Sequence, residues 1–367
     1  MQRSYEIQGL RALAVTLVLL FHAGWLPGGY IGVDLFYVIS GYLITSLIIN
    51  DKEFSFRKFY ARRAKRLLPM AFLVLLVTAA FFWVLAPSAS RLQFSKDFLA
   101  STWYVSNYLY AHWQNDYQNL GATPSPLIHY WSLAVEEQFY LFWPLLLFLF
   151  KSIRKQAVIV TTVLSFILSL FLINYAPIFA FYSLPTRAFE LGLGAIIALF
   201  PIRTRLIWPG IALIVTGAML FNSQTPFPGV PALIPTFGAA MVLTSLKKNA
   251  LLSNAISRKI GDWSYSLYLW HWPFLTIPAL YLQRELGDKE KLAMFIFCIF
   301  VSALSYKYVE NPIRLASFSN RRVVIATLLS GLLLSTTSLA IAATNREVAY
   351  NLTKPIIYAN GCHQGYS

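Results

Sequence analysis

A guanidinium and an imidazole stand at opposite ends of the first apolar stretch of the chain, RALAVTLVLLFH (11–22). Arg11 and His22 are eleven residues apart, about three turns of helix, so both lie on nearly one face, roughly 16 Å apart. An ionisable group inside a bilayer costs several kcal/mol and is therefore a functional candidate. The spacing predicts a line of polar contacts along one helix face, with His22 as a general base for an alcohol or thioester.

Asp34 follows the tight turn AGWLPGG (23–29), and we expect it at the same depth as His22. A carboxylate on one ring nitrogen orients an imidazole and raises its basicity. The alternative is a His–Asp hydrogen bond that only pins two helices together.

Further ionisable residues lie in three apolar segments. Of Glu136 and Glu137 in HYWSLAVEEQFY (129–140), one is expected to face inward and the other solvent. Arg187 and Glu190 are three residues apart, a spacing typical of a structural ion pair. His271 in SYSLYLWHWP (264–273) is expected in the cytoplasmic half, either as a ligand contact or within an aromatic belt.

The segment FRKFYARRAKRLLP (56–69) concentrates positive charge in a predicted inner loop. Arg63 and Arg66 are one helical turn apart on a common face just before an apolar span. Two guanidinium groups so placed suit a bidentate grip on phosphate. The RxxR pattern alone is a weak signal, because positive charge is expected on any cytoplasmic loop.

The composition indicates an all-α, polytopic integral membrane protein. Hydrophobic residues make up 57% of the chain and charged residues 12%, whereas soluble domains carry about 25% charged residues. We predict eleven spans, a ten-helix core plus one: 8–24, 30–49, 67–86, 131–150, 157–174, 186–200, 206–221, 232–246, 264–282, 290–308 and 322–343. The long outer loop 87–130 is expected to contain a helix over about 92–110.

The positions of Lys and Arg predict the orientation. With a cytoplasmic N-terminus, the inner loops hold 20 of these residues and the outer loops 7. The positive-inside rule therefore places the N-terminus in the cytoplasm and, after an odd number of spans, the C-terminus in the periplasm. The net charge of +15 is then mostly a topology signal facing anionic lipid, and it requires no nucleic-acid partner. No metal-binding, P-loop or dinucleotide motif occurs in the sequence.

The positions of the two cysteines bear on the role of the C-terminal tail, residues 344–367. Cys298 lies within a predicted span and Cys362 outside, so they are not expected to pair. A lone Cys in an oxidising compartment suggests a missing partner, and we expect residues 344–367 to be a periplasmic linker leading to an absent external domain. The alternative is an unpaired tail thiol.

Several motifs, in order, resemble the acyltransferase 3 family of bacterial membrane O-acyltransferases. They are GLRALAVTLVLLFH, GGYIGVDLFYVISGYLI, FYARRAKRLLP, HYWSLAVEEQFYLFWP, TRAFELGLGA, SYSLYLWHWP and YVENP, and they cover roughly residues 5–315. The ordered set is highly specific, although each motif alone is not. The resemblance implies an acyltransferase domain over 1–315 and an additional helix in 316–343, as in variants that carry an external SGNH hydrolase-type domain.

The resemblance also implies an activity and residue roles. Such enzymes transfer an acetyl group from cytoplasmic acetyl-CoA to a surface glycan such as O-antigen or peptidoglycan, and the inner bacterial membrane is the expected location. The expected catalytic residues are His22, Asp34, Glu137 and Arg11. CoA phosphates are assigned to Arg63 and Arg66, with Arg11 beside the donor, and the substrate-binding candidates are Glu136, Arg187, Trp131 and His271. No metal is expected.

Two other activities would also use buried charges. A proton-coupled transporter or lipid-linked sugar exporter predicts broken helices at mid-membrane and an inverted repeat; neither is visible in the sequence. A glycosyltransferase with a polyprenyl-linked donor would call for a loop rich in acidic metal ligands, which the sequence lacks. Both roles for His22, general base and carrier of the acyl group, are compatible with the sequence.

Overall fold

A computed structural model of the chain describes residues 5–87, 90–114, 116–118, 124–245 and 250–353, with side chains to residue 343. The α-helices within these ranges are α1 Tyr5–His22, α2 Gly32–Asn50, α3 Phe56–Leu85, α4 Arg91–Thr102, α5 Ser106–His112, α6 Tyr130–Leu149, α7 Arg154–Tyr175, α8 Pro177–Tyr182, α9 Leu184–Leu199, α10 Ile207–Leu220, α11 Leu233–Leu243, α12 Ala250–Ser253, α13 Ala255–Leu282, α14 Asp288–Ser305, α15 Asn311–Leu315 and α16 Asn320–Thr353.

The described residues form helices and no named strand, which confirms the predicted all-α class. Hydrocarbon offers no hydrogen-bond partner to a bare backbone, and a helix satisfies its own amides and carbonyls. Among the described residues, six helical segments are long and apolar enough to cross a membrane. They are consistent with a polytopic membrane protein, while the count of eleven spans and the orientation stay predictions.

Several segments differ from the predicted boundaries. The supposed loop at 56–66 is the beginning of α3, which runs unbroken from Phe56 to Leu85. The helix predicted over 92–110 is two helices, α4 and α5, separated at Trp103–Val105. Helix α16 continues through the predicted linker boundary at 344 as far as Thr353; Cys362 lies outside the described residues.

Helix α2 is the most enclosed of the apolar segments. Its most apolar window is 72% buried, against 17% for the segment containing α7 and 22% for α16, which therefore present most of their surface to lipid. The α2–α9 contact depends on glycine: a Cβ at Gly41 would lie 1.8 Å from the Leu191 carbonyl oxygen, and one at Gly194 2.0 Å from that of Val38. Small residues allow membrane helices such close approach.

Helices α1 and α13 pack along much of their length. Near the beginning of α1, a Cβ at Gly261 of α13 would lie 2.0 Å from the Gln8 carbonyl oxygen. At the other end of α1, the rings of His22 and His271 lie 4.9 Å apart between centroids. The pairing of these two helices therefore sets the position of both histidines.

Candidate functional site

Helix α1 connects two cavities. Arg11 lines the first, called here the arginine cavity, together with Arg63 and Arg66 of α3. His22 lines the second, the histidine cavity, which has a volume of about 540 Å³. No described residue lines both. The predicted polar line along α1 thus ends in two separate compartments.

The arginine cavity brings together three guanidinium groups and one carboxylate. The Cζ of Arg63 lies 3.7 Å from the centre of the Tyr140 ring, a cation–π contact. Glu136 accepts hydrogen bonds from the hydroxyls of Tyr140 and Ser40. Arginine fits planar oxyanions bidentately, so this positively charged wall suits a phosphate-bearing ligand.

Glu136 lines the arginine cavity, as expected of one member of the glutamate pair, but both glutamates are half-buried, so the expectation that the other faces solvent is not met. Glu137 is half-buried and is not among the residues that line either cavity. Since α6 turns about 100° per residue, adjacent glutamates cannot share one face.

His22 has a partner on each ring nitrogen, and neither partner is a carboxylate. Its Nε2 lies 2.8 Å from the Tyr117 hydroxyl, and its Nδ1 lies 3.0 Å from Nε2 of His271. The ring of Trp272 is 4.5 Å away between centroids. The expectation that Asp34 orients His22 is therefore wrong.

Asp34 is instead part of a buried ion cluster between α2 and α9. Its Oδ1 lies 3.3 Å from Nη2 of Arg187, and Nε of Arg187 lies 3.1 Å from Oε1 of Glu190. The predicted Arg187–Glu190 ion pair is confirmed. Arg187 is nearer to Asp34 than sequence spacing could reveal, because the close α2–α9 approach joins residues 153 positions apart.

Two candidates for substrate binding, Arg187 and Trp131, line neither cavity, although each contacts a residue that does. Arg187 is fully buried, and four aromatic rings, those of Tyr37, Trp131, Phe181 and Phe227, have centroids 5.2–5.8 Å from its Cζ. Trp131 is itself fully buried within this aromatic shell. Both residues are packed in the protein interior. Neither side chain faces a cavity in which it could contact a substrate directly.

His271 is fully buried and contacts His22, so it lies at the depth of His22 and not nearer the other end of the helices, and its burial excludes the aromatic-belt alternative. Its Nδ1 lies 2.6 Å from the backbone oxygen of Tyr268. The error in depth arose from the length of α13: this helix has 28 residues and begins nine residues before the predicted span.

A polar layer lies between the cavities. The Tyr268 hydroxyl lies 2.6 Å from Ser132 Oγ and donates to the His129 oxygen over 3.0 Å, and Tyr37 donates to the Ser132 oxygen over 3.2 Å. Tyr37, Ser132 and Tyr268 all line the arginine cavity. The backbone oxygen of Tyr268 lies 2.6 Å from Nδ1 of His271, so this layer connects the arginine cavity to the histidine pair.

Sequence reasoning missed three residues that line the histidine cavity: Tyr117, Trp272 and Lys291. Tyr117 was one of many aromatic residues in the outer loop, and nothing in its spacing singled it out. Lys291 donates to the Ala23 oxygen over 2.9 Å, a contact between residues 268 positions apart. Only the folded chain brings these side chains together around the histidine cavity.

Both cavities lie within a part of the chain that matches a known protein family. The family model described as an acyltransferase domain matches residues 4–309, which include every residue named above as lining them. The chain belongs to the acyltransferase 3 family. Family membership favours acyl transfer over the transporter and glycosyltransferase alternatives.

Curated relatives of this acyltransferase 3 chain are bacterial. The putative peptidoglycan O-acetyltransferase YrhL of Bacillus subtilis is 31% identical over 87% of the chain and 56% of its own length. The O-acetyltransferase OatA of Staphylococcus aureus is 31% identical over 85% and 57%. The peptidoglycan O-acetyltransferase OatA of Listeria monocytogenes is 31% identical over 86% and 56%.

The chain thus spans little more than half the length of these relatives. No solved structure matches it.

Proposed function

We propose that the chain transfers an acetyl group from cytoplasmic acetyl-CoA to a hydroxyl of a cell-envelope glycan on the opposite face of the inner membrane. One observation carries the proposal: helix α1 has a cluster of three guanidiniums around one end and an imidazole in a large cavity at the other. Acetyl-CoA carries its phosphates far from its reactive acyl group. Its phosphates could therefore bind at the arginines while its acyl group lies near the imidazole.

The donor side is the arginine cavity. Arg11, Arg63 and Arg66 would meet the phosphates of CoA, with the predicted cytoplasmic N-terminus placing the cavity on the cytoplasmic side. The free volume of about 70 Å³ is enough for a few waters rather than for a pantetheine arm. Donor binding must therefore move side chains of the layer formed by Tyr37, Ser132 and Tyr268.

The chemical step is a hydroxyl attack on a thioester. Nε2 of His22 takes the proton of the acceptor hydroxyl as its oxygen bonds to the acetyl carbonyl carbon. The C–S bond then breaks, and the CoA sulfur leaves with the proton held at Nε2. The products are an acetyl ester and CoA with a free thiol, and His22 returns to its starting state.

The acceptor side is the histidine cavity. Its volume of about 540 Å³ is within the usual range for small-molecule sites. Its wall combines the aromatic face of Trp272 with the polar groups of Gln118, Asn222 and Lys291, a mixture suited to a sugar. Two relatives are named for peptidoglycan, which favours that glycan over O-antigen as the acceptor.

The proposal is tested by mass spectrometry of envelope glycan from cells that express the chain and from cells that do not. We expect glycan that carries additional acetyl esters, removable by mild base, only when the chain is present. Separate analysis of peptidoglycan and lipopolysaccharide identifies the acceptor. Identical glycans with and without the chain, under conditions where the protein is in the membrane, would contradict acetyl transfer.

A further inference from the structure

Hydrogen-bond partners determine which nitrogen of His271 carries its proton. Nδ1 of His271 lies 2.6 Å from the backbone oxygen of Tyr268. A carbonyl oxygen only accepts hydrogen bonds, so Nδ1 must be the donor. A neutral imidazole has one N–H, which leaves Nε2 of His271 as an acceptor.

The surroundings of His271 favour the neutral ring. Its side chain is fully buried, its two ring nitrogens contact a carbonyl and another imidazole, and the ring of His129 lies 5.6 Å away between centroids. Burying a cation without a charged partner is costly. The acidic cluster of Asp34 and Glu190 is already engaged with Arg187.

The proton position of His271 then fixes that of His22. Nε2 of His271 lies 3.0 Å from Nδ1 of His22; since the former accepts, the latter must donate. Nε2 of His22 is left with its lone pair, and the Tyr117 hydroxyl donates to it over 2.8 Å. This hydroxyl occupies the position that an acceptor hydroxyl needs for proton transfer.

We propose that His271 is a positioning residue that holds His22 in the Nδ1–H tautomer and so makes Nε2, on the side of Tyr117, the proton-accepting atom. It takes the role that the sequence had suggested for Asp34, but with a neutral acceptor. The part of this inference that concerns catalysis rests on the proposed acetyl transfer. The tautomer itself does not.

His129 provides a matched control. Like His271 it is fully buried and bonds a backbone oxygen of α13, with its Nε2 3.1 Å from the Leu269 oxygen. Its described hydrogen bond does not involve His22. Replacing either residue by Phe removes a buried imidazole, but only His271→Phe removes the imidazole acceptor next to Nδ1 of His22 and leaves the Val18 backbone oxygen as the remaining acceptor for that ring.

The first experiment measures the tautomer by ¹⁵N NMR of histidine-labelled protein in lipid nanodiscs, with His22→Gln assigning the signals. In the wild type and in His129→Phe we expect a protonated Nδ1 and an unprotonated Nε2 at His22. In His271→Phe we expect loss of that single tautomer. A protonated Nε2 at His22 in the wild type, or the same spectrum in His271→Phe, would overturn the inference.

The second experiment measures acetyl transfer from acetyl-CoA to purified peptidoglycan fragments. We expect His271→Phe to lower kcat about 10- to 100-fold, as losses of supporting hydrogen bonds do, with the KM for acetyl-CoA unchanged. His271→Gln should retain more activity, because its amide oxygen can accept from Nδ1 of His22. Equal kcat in His271→Phe and His129→Phe would reject the positioning role.

The two readouts separate the two proposals. The expected tautomer without any acetyl transfer would reject the proposed function and leave the tautomer assignment intact. Acetyl transfer together with a protonated Nε2 at His22 would reject the tautomer assignment and leave the proposed function intact.

Discussion

Asp34 and Arg187 form an ion pair, with 3.3 Å between Oδ1 and Nη2, although they lie on different helices and both are fully buried. Glu190 completes the cluster on the other side of the guanidinium. Aromatic rings surround the Arg187 guanidinium. Its buried positive charge is therefore stabilised by the two carboxylates and by the faces of these rings. The cluster fastens α2 to α9.

Removing the cation should destabilise the protein strongly. Arg187→Met leaves two buried carboxylates without their partner, and breaking a buried pair in this way costs about 3–5 kcal/mol. We expect a lower Tm in detergent, with part of the loss recovered when Asp34→Asn and Glu190→Gln are added. Arg284→Gln is the control, since Arg284 pairs with Glu290 on the exposed surface. A wild-type Tm for Arg187→Met would argue against a stabilising cluster.

The sequence predicted the positions of most helices well, because each helix is marked by a local pattern of apolar residues. Long apolar runs bounded by charges or turns gave α6, α7 and α9 within a few residues of their observed ends. The boundaries failed where polar residues remain helical: charge at 56–66 suggested a loop, yet amides in α3 continue their helical bonds through it. Local polarity marks the membrane edge, whereas the end of a helix depends on capping and packing.

The candidate site was only partly predictable for a different reason. Arg11 was identified by the cost of a charge in an apolar segment, Arg63 and Arg66 by their spacing of one helical turn, and the three do share a cavity. The partner of His22 was not predictable, because Asp34 and His271 are both plausible and only the pairing of α1 with α13 and of α2 with α9 decides between them. Contacts between residues far apart in the chain leave no periodic signal.

Donor binding should depend on the arginines that line the cavity. Removing one charge-assisted contact costs about 1.5–3 kcal/mol, and each 1.4 kcal/mol is about tenfold in affinity. We therefore expect Arg66→Gln and Arg63→Gln to weaken acetyl-CoA binding roughly 10- to 100-fold by calorimetry.

Arg62 is the matched control for this prediction. It lies on the same helix, is half exposed, and its Nη2 is 3.6 Å from Oδ2 of Asp51. Arg62→Gln should bind acetyl-CoA as the wild type does. Unchanged affinity in both cavity variants would reject the arginine cavity as the donor site.

The α2–α9 contact should not tolerate even one added methyl group. Gly41→Ala would put a Cβ 1.8 Å from a backbone oxygen of Leu191, which cannot rotate away. The helices must separate, and overpacking typically costs about 1–3 kcal/mol. We expect less folded protein and a lower Tm by fluorescence-detected chromatography. Gly287→Ala, whose nearest atom would be a Glu290 oxygen at 3.8 Å, should be neutral; equal behaviour of the two would contradict this packing.

Orientation can be measured with single cysteines and a membrane-impermeant maleimide. Lys58 and Lys289 are both exposed and lie at the predicted cytoplasmic and outer ends of their helices. With Cys362→Ser as background, Cys298 being buried, we expect Lys289→Cys to react in cells with a permeabilised outer membrane. Lys58→Cys should react only after lysis. The opposite pattern would reverse the topology and the assignment of the two cavities.

Acyl transfer at His22 is tested most directly by one rate measurement in membranes that contain the chain. Acetyl transfer from labelled acetyl-CoA to peptidoglycan is compared among the wild type, His22→Ala and His129→Ala, with acetyl-CoA binding measured for each. Loss of a general base lowers rates about 10²- to 10⁴-fold, so we expect that loss in His22→Ala alone, with binding retained. Transfer by His22→Ala at the wild-type rate would contradict the central role of His22.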